Sequence, residues 1–254
     1  MRMDRWAGKS AIVTGVSSGI GEVITEKLVR AGVNVLGLAR REDKLQALAQ
    51  RFKSAKGKFC YLKCDLRNEQ DILKAFAWVE KNFGCIDILI NNAGVLFLNS
   101  FEDAKTDEYH ILMDLNVIAP AICIREALKL MRKHKNEGHI ININSIAGHQ
   151  AVIGNMPVNL YPASKFALRA MTETLKGEIR AKNDKIRITG IHPGVVKTDL
   201  YHTLSEATTD MIYNTMSFLE SKDVADCVMF ALSMPSNVQI DELTVSPVMY
   251  KNES

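Results

Sequence analysis

The stretch Ser10-Ala11-Ile12-Val13-Thr14-Gly15-Val16-Ser17-Ser18-Gly19-Ile20-Gly21 decides how this chain is read. A short apolar run, Ser10 to Thr14, ends in a glycine cluster and leads into an amphipathic segment from Glu22 to Ala31. The run has the character of a buried strand and the segment the spacing of a helix. Glycines at such a turn permit a tight bend and close approach of backbone to a ligand. The helix N-terminus behind them offers unpaired N–H groups to a pyrophosphate. The spacing is G-x-x-x-G-x-G, not G-x-G-x-x-G, so the turn alone admits two readings: a dinucleotide cradle, or a bend that packs helix on strand.

The same alternation recurs outward from this turn. Val33 to Ala39, Lys58 to Cys64, Ile86 to Ile90, His139 to Asn144 and Ile186 to Ile191 are apolar runs of strand length. Helical patterns cover Glu42 to Lys53, Glu69 to Phe83 and Pro162 to Arg180. Strands alternating with helices build βαβ units, and runs that are apolar almost throughout belong to strands covered on both faces. The pattern predicts an α/β fold: a single-domain, doubly wound, Rossmann-type parallel sheet with helices on both faces, spanning residues 1–254. No internal repeat and no Pro/Gly/Ser linker divides the chain. The least regular regions, near 146–160 and 197–218, follow late strands on their C-terminal side, where open α/β sheets bind ligands. They are expected to cover a substrate.

Bulk composition narrows the function. With 254 residues, 47% hydrophobic and 24% charged, the chain resembles an ordinary globular protein. A net charge of +3, dispersed along the sequence, argues against nucleic acid as a partner. No run of 18 apolar residues predicts a membrane span, and Met1 to Trp6 lacks the apolar core of a signal peptide. An odd number of scattered cysteines, at 60, 64, 85, 123 and 227, suits reduced thiols and a cytoplasmic location. No His, Asp, Glu and Cys grouping has metal-ligand spacing, so no metal site is expected.

The second strand ends at Leu38-Ala39-Arg40-Arg41. A carboxylate here would hold a ribose 2′-hydroxyl; arginines pair instead with a 2′-phosphate, which a carboxylate repels. This points to NADP(H), with a solvated basic loop as the alternative.

Taken together, Thr14 to Gly21, Asp65-Leu66, Asn91-Asn92-Ala93-Gly94, Asn116, Ser145, Tyr161-x-x-x-Lys165 and Pro193-Gly194 with Thr198 resemble the short-chain dehydrogenase/reductase family over nearly the whole chain. Gly138 to Ser145, Gly148-His149, Ile122 to Ala127 and Val238 to Ile240 are similar to its insect farnesol dehydrogenase-like and 17β-hydroxysteroid-dehydrogenase-like subgroup. The resemblance implies cofactor contacts at Gly15, Ser17, Ser18, Gly19, Ile20 and Gly21. It implies further contacts at Asp65 and Leu66 near the adenine, and at Asn92, Ala93 and Gly94 under the ribose. Pro193, Gly194, Val196 and Thr198 would hold the nicotinamide end, and Asn116 a water bonded to Lys165. It also implies a homodimer or homotetramer. Asn144 departs from the family, where many members carry serine, and the connection from Ser145 to Tyr161 is longer than usual.

The residue types suit hydride chemistry. Reducing a carbonyl requires a hydride on carbon and a proton on oxygen. Tyr161 and Lys165 stand four apart at a helix start and so point the same way. The ammonium and a positive nicotinamide are expected to favour tyrosinate and lower the tyrosine pKa. Ser145, at a strand end, can donate to the substrate oxygen as charge develops. The predicted activity is an NADP(H)-dependent oxidoreductase that interconverts an alcohol and its aldehyde or ketone. An epimerase on the same fold and a cofactor-sensing binding protein are the alternatives. His149 reads as a polar loop residue, and His192 as a packing residue or one that satisfies a backbone group. Ala147, Ala151, Val152, Ile153, Met156, Val158 and Leu160 are apolar, as are Leu200, Leu204, Met211, Ile212 and Met216. Loops this apolar either pack on each other or a partner subunit, or close over a lipophilic substrate.

Overall fold

The computed structural model describes residues 3–152, 156–198, 200 and 217–248. Its chain runs through β1 (Ser10–Thr14), α1 (Gly19–Arg30), β2 (Asn34–Ala39), α2 (Glu42–Arg51), β3 (Phe59–Lys63), α3 (Glu69–Phe83) and β4 (Ile88–Asn91). Then come α4 (Thr106–Met113), a π-helical turn (Asp114–Ile118), α5 (Ala119–His134), β5 (Gly138–Ile143), a 3-10 turn (Ile146–Gly148), α6 (Tyr161–Ala181) and β6 (Ile186–Pro193). The short β7 (Val196–Lys197) and β8 (Leu219–Glu220), α7 (Ser221–Ser233) and β9 (Glu242–Val245) complete it. The main sheet is seven-stranded in the order β3-β2-β1-β4-β5-β6-β9, and every pairing in it is parallel. The doubly wound architecture expected from the apolar runs is present.

Strand periodicity explains why those runs are continuous. Successive side chains leave a strand on opposite faces. Ala11, Val13, Val35, Ile88, Ile90 and Ile141 pack on one face with Ile24 and Leu28 of α1, Leu45 of α2 and Val224 of α7. Ile12, Leu36, Leu89, Ile140 and Ile188 pack on the other with Ile72 of α3, Cys123 and Met131 of α5, and Leu175 of α6. Each buried Val, Leu or Ile contributes about 1.5–3 kcal/mol, so two covered faces hold the sheet far more firmly than its surface ion pairs do. The edge strand β9 has no such signature. Its Glu242-Leu243-Thr244-Val245 is short and only partly buried, and the sequence pattern did not predict it.

The direction of strand succession reverses between β1 and β4, which lie side by side. The ends of these strands are clamped together. The Thr14 hydroxyl accepts the N–H groups of Asn92 and Ala93 at 2.9 and 3.0 Å, and the Asn92 amide donates to the Thr14 carbonyl at 2.9 Å. Such a switch point opens a crevice outside the strand ends. Among the described residues, no helix is long and apolar enough to cross a membrane.

Candidate active site

A cleft of about 440 Å³ opens above the C-terminal ends of the strands. Gly15, Ser17, Ser18, Gly19 and Ile20 form one wall, with Arg40 and Arg41 from the end of β2 beside them and Asp65 and Leu66 beyond. Asn92, Ala93 and Gly94 lie along its base, while Pro193, Gly194, Val196 and Thr198 face them from the β6 side. Of the residues expected to contact cofactor or to act in catalysis, Gly21 and Asn116 do not line it. Gly21 lies behind the loop, against the Gly15 carbonyl.

The end of the cleft at the glycine loop can receive an anion. Ser18 is the N-cap of α1, yet its side chain makes no capping bond. The Arg41 guanidinium is instead held by the loop hydroxyls, at 3.1 and 3.0 Å from Ser17 Oγ and 2.7 Å from Ser18 Oγ. A cation is thus fixed beside a helix N-terminus, both of which favour phosphate. Asp65 is paired with Arg67 at 2.7 Å, and that bond holds its carboxyl below the usual range.

Ser145, Tyr161 and Lys165 converge at the other end of the cleft. The 3-10 turn after β5 starts at Ser145, whose Oγ accepts the Ala147 N–H at 3.1 Å. The Tyr161 hydroxyl faces the Ser145 side chain, which acts to lower its pKa. Lys165 Nζ lies 5.6 Å from the centre of the Tyr161 ring and donates to the Ile143 carbonyl at 3.3 Å. Both groups are buried, and burial decides their protonation. Desolvation raises the Tyr161 hydroxyl to about 12 against a weaker lowering by Ser145, and lowers the Lys165 ammonium to about 8. The lowering was expected from Lys165 together with a positive nicotinamide; with the protein groups alone, desolvation wins and the tyrosine pKa rises. Each charge costs more in the apolar floor than the other returns across this separation.

Two asparagines hold this machinery. Asn116, in the π-helical turn, accepts the Val95 N–H at 2.9 Å and donates to the Val95 carbonyl at 2.9 Å and to Ser164 Oγ at 3.1 Å. π-turns recur at functional sites because they aim a residue where a regular helix could not. Asn144, flagged only as a departure from a family pattern, donates to the Lys165 carbonyl at 3.1 Å and so ties β5 to the first turns of α6. No sequence signal marks that contact, since it spans two elements.

The apolar wall is partly the expected one. Ala147, Val158 and Tyr161 are buried together with Leu96 and Leu112, and Met156, Leu160 and Leu200 pack on them. Val152 points outward with 78% of its surface exposed, against expectation. Val95, Leu96, Ile111 and Leu115, from the segment after β4, line the cleft and were not foreseen. Ile153, Leu204, Met211, Ile212 and Met216 lie outside the described residues.

The family model described as short chain dehydrogenase matches residues 9–209. This chain belongs to the short-chain dehydrogenase family. It is 44% identical over 250 residues to a farnesol dehydrogenase of Aedes aegypti, covering 97% of this chain and 98% of that one. It is 38% identical over 251 residues to dehydrogenase/reductase SDR family member 11 of Gallus gallus, covering 96% and 98%. Among solved structures it is similar to the closed form of a serine dehydrogenase complexed with NADP+, with a TM-score of 0.84 and 27% identity over 96% and 97% of the two chains. As a short-chain dehydrogenase it is an alcohol or carbonyl oxidoreductase.

The buried lysine of this short-chain dehydrogenase has a measurable cost. Its pKa falls from 10.5 to about 8 on folding, so the unfolded chain binds more protons through that window and stability rises with pH across it. Buried thiols at Cys64 and Cys123, raised by desolvation, act in the opposite sense above pH 9. They are the same in a Lys165→Met variant, so the difference between variant and wild type isolates the lysine. In the absence of cofactor, Lys165→Met is expected to be the more stable protein at pH 7. Its advantage is expected to shrink by on the order of 2–3 kcal/mol between pH 8 and 10. Urea unfolding at a series of pH values checks this, and parallel curves for the two proteins would contradict it.

Proposed function

We propose that this short-chain dehydrogenase is NADP(H)-dependent and interconverts a lipophilic alcohol, prenyl or steroid in size, with its aldehyde or ketone. One observation carries the reading: Tyr161, in the same cleft as Ser145 and close to a buried Lys165, lies between an arginine-bearing glycine loop and an apolar wall. The cofactor, when bound, supplies or accepts the hydride. In reduction, Tyr161 gives its hydroxyl proton to the substrate oxygen as hydride reaches the carbon; in oxidation it takes that proton back. A hydroxyl raised to about 12 is fully protonated at neutral pH and ready to act as the acid. Ser145 donates a hydrogen bond to the same oxygen, where negative charge grows. Lys165, at about 8, is still mostly charged at pH 7 and stabilises the tyrosinate left behind. Asn116 and Asn144 act as positioning residues, through Val95, Ser164 and the Lys165 carbonyl.

The preference for NADP(H) rests on Arg40 and Arg41 beside Ala39, where no carboxylate stands. The serine dehydrogenase noted above was solved with NADP+, which supports the reading. The lipophilic substrate rests on Val95, Leu96, Met156, Val158 and Leu200 beside Tyr161, and a relative is named for farnesol. Free thiols at all five cysteines suit a reducing compartment such as the cytoplasm. Exposed Ile118, before α5, and Phe166, on α6, suit assembly of a homo-oligomer through those helices.

NADPH is expected to bind at least about tenfold more tightly than NADH, roughly 1.4 kcal/mol. Arg40→Ala and Arg41→Ala are each expected to weaken NADPH far more than NADH; equal affinity of the intact protein for both would contradict the assignment. With NADPH in excess, kcat/KM is expected to climb along a series of prenyl aldehydes of increasing length. Fastest turnover of short polar carbonyls or sugars would overturn the lipophilic substrate and leave hydride transfer standing.

A further inference from the structure

Behind the Ser145 turn, away from the cleft, the fold gathers His149, His192 and Glu242, far apart in sequence. One possible ligand atom from each lies within 4.8 Å of the others. The two imidazole rings are 4.2 Å apart, centre to centre. Glu242 Oε1 is 3.7 Å from His192 Nε2, and Glu242 Oε2 is 3.8 Å from His149 Nε2. Each residue is carried by ordered backbone. His192 is in β6, Glu242 opens β9 directly opposite Gly190 of β6, and His149 closes the 3-10 turn, its N–H bonded to the Ile146 carbonyl at 2.9 Å.

The buried partner is set up as a ligand. His192 is 1% exposed, and its Nδ1 lies 3.2 Å from the Ser145 carbonyl oxygen. A carbonyl only accepts, so Nδ1 carries the proton and Nε2 presents a lone pair to the cluster. The chain makes room for Nε2: a β-carbon at Gly190 would lie 2.8 Å from it.

We propose that His149, His192 and Glu242 form a zinc site, separate from the catalytic cleft, that links β6 and β9 to the turn carrying Ser145. Two imidazoles and one carboxylate are a common donor set for this borderline ion, which completes a tetrahedron with water. Donors about 2.0–2.2 Å from zinc stand closer together than these atoms do, so the site must contract on binding. His149 and Glu242 have the freedom for it, with 29% and 32% of their side chains exposed. Arg169 is the competitor, bonding Glu242 at 2.8 and 3.3 Å. That pair is part-exposed, so solvent screens it, and Glu173 is a second carboxylate near enough to act on Arg169 when zinc takes Glu242. The hydrogen bond from His192 to Ser145 makes metal occupancy felt at the catalytic turn without placing metal on the substrate.

Protein stripped with chelator is titrated at pH 7.5 with zinc against a chromophoric competitor, and separately with cobalt. One equivalent of zinc is expected to bind with a dissociation constant of about 10 μM or below, and cobalt to give the visible spectrum of a tetrahedral nitrogen–oxygen site. His149→Ala and Glu242→Gln, both at part-exposed positions, are each expected to weaken binding at least about tenfold. Arg169→Ala is expected to strengthen it by freeing the carboxylate. Cys60→Ser and Cys227→Ser are expected to leave it unchanged. Lack of saturable binding, full affinity in His149→Ala, or thiolate-to-cobalt charge transfer would overturn the proposal.

Discussion

A β-carbon at Gly21 would lie 2.3 Å from the carbonyl oxygen of Gly15, well inside van der Waals contact. The first turn of α1 can therefore rest against the end of β1 only if position 21 is glycine, and Gly15, at φ +71°, turns the chain there. This contact brings the N–H groups of α1 to the rim of the sheet next to the β1–β4 switch point. The rest of the site is organised around it. Asn92 bonds the Thr14 and Gly15 carbonyls, Arg41 reaches the serines of the loop, and Thr198 lies over Gly19, where a β-carbon would meet its side chain at 3.3 Å. A helix end has anion affinity wherever its N–H groups are exposed; here the glycines give that affinity a fixed location.

The reacting end follows a different principle. Tyr161 is buried with Leu96, Leu112 and Val158, and Lys165 is buried beside it, in surroundings that disfavour charge on either. A floor designed for stability alone would be wholly apolar. Holding a cation there, with one carbonyl accepting from it and the Tyr161 ring beside it, weakens the fold and leaves the tyrosine a neutral acid. Where a substrate oxygen gains negative charge, the same low dielectric makes the ammonium and the hydroxyls more effective than water would be. The strain of burial and the capacity for proton transfer share one origin.

Much of this was legible in the sequence, for identifiable reasons. Strands covered on both faces leave unbroken apolar runs, so β1, β2, β3, β5 and β6 could be placed to within one or two residues. β9 is half exposed and lacks that signal. Ser145, Tyr161 and Lys165 are recognisable from residue type and order, yet their protonation is not, because it depends on burial. Pairings across elements left no local trace either: Asn144 with the Lys165 carbonyl, or His149 and His192 with Glu242. Spacing rules find metal ligands that share an element, and these three come from a turn and two strands.

The account stands on hydride transfer coupled to the Tyr161 proton, and isotope transfer tests it most directly. NADPH dideuterated at C4 of the nicotinamide is mixed with a long prenyl aldehyde, and the alcohol is analysed by mass spectrometry. The intact protein is expected to place one deuterium on the carbinol carbon. Tyr161→Phe is expected to bind the cofactor but form no labelled alcohol, because the phenylalanine ring has no proton to give. Alcohol without deuterium from the intact protein, or label transferred by the phenylalanine variant at the same rate, would contradict the account.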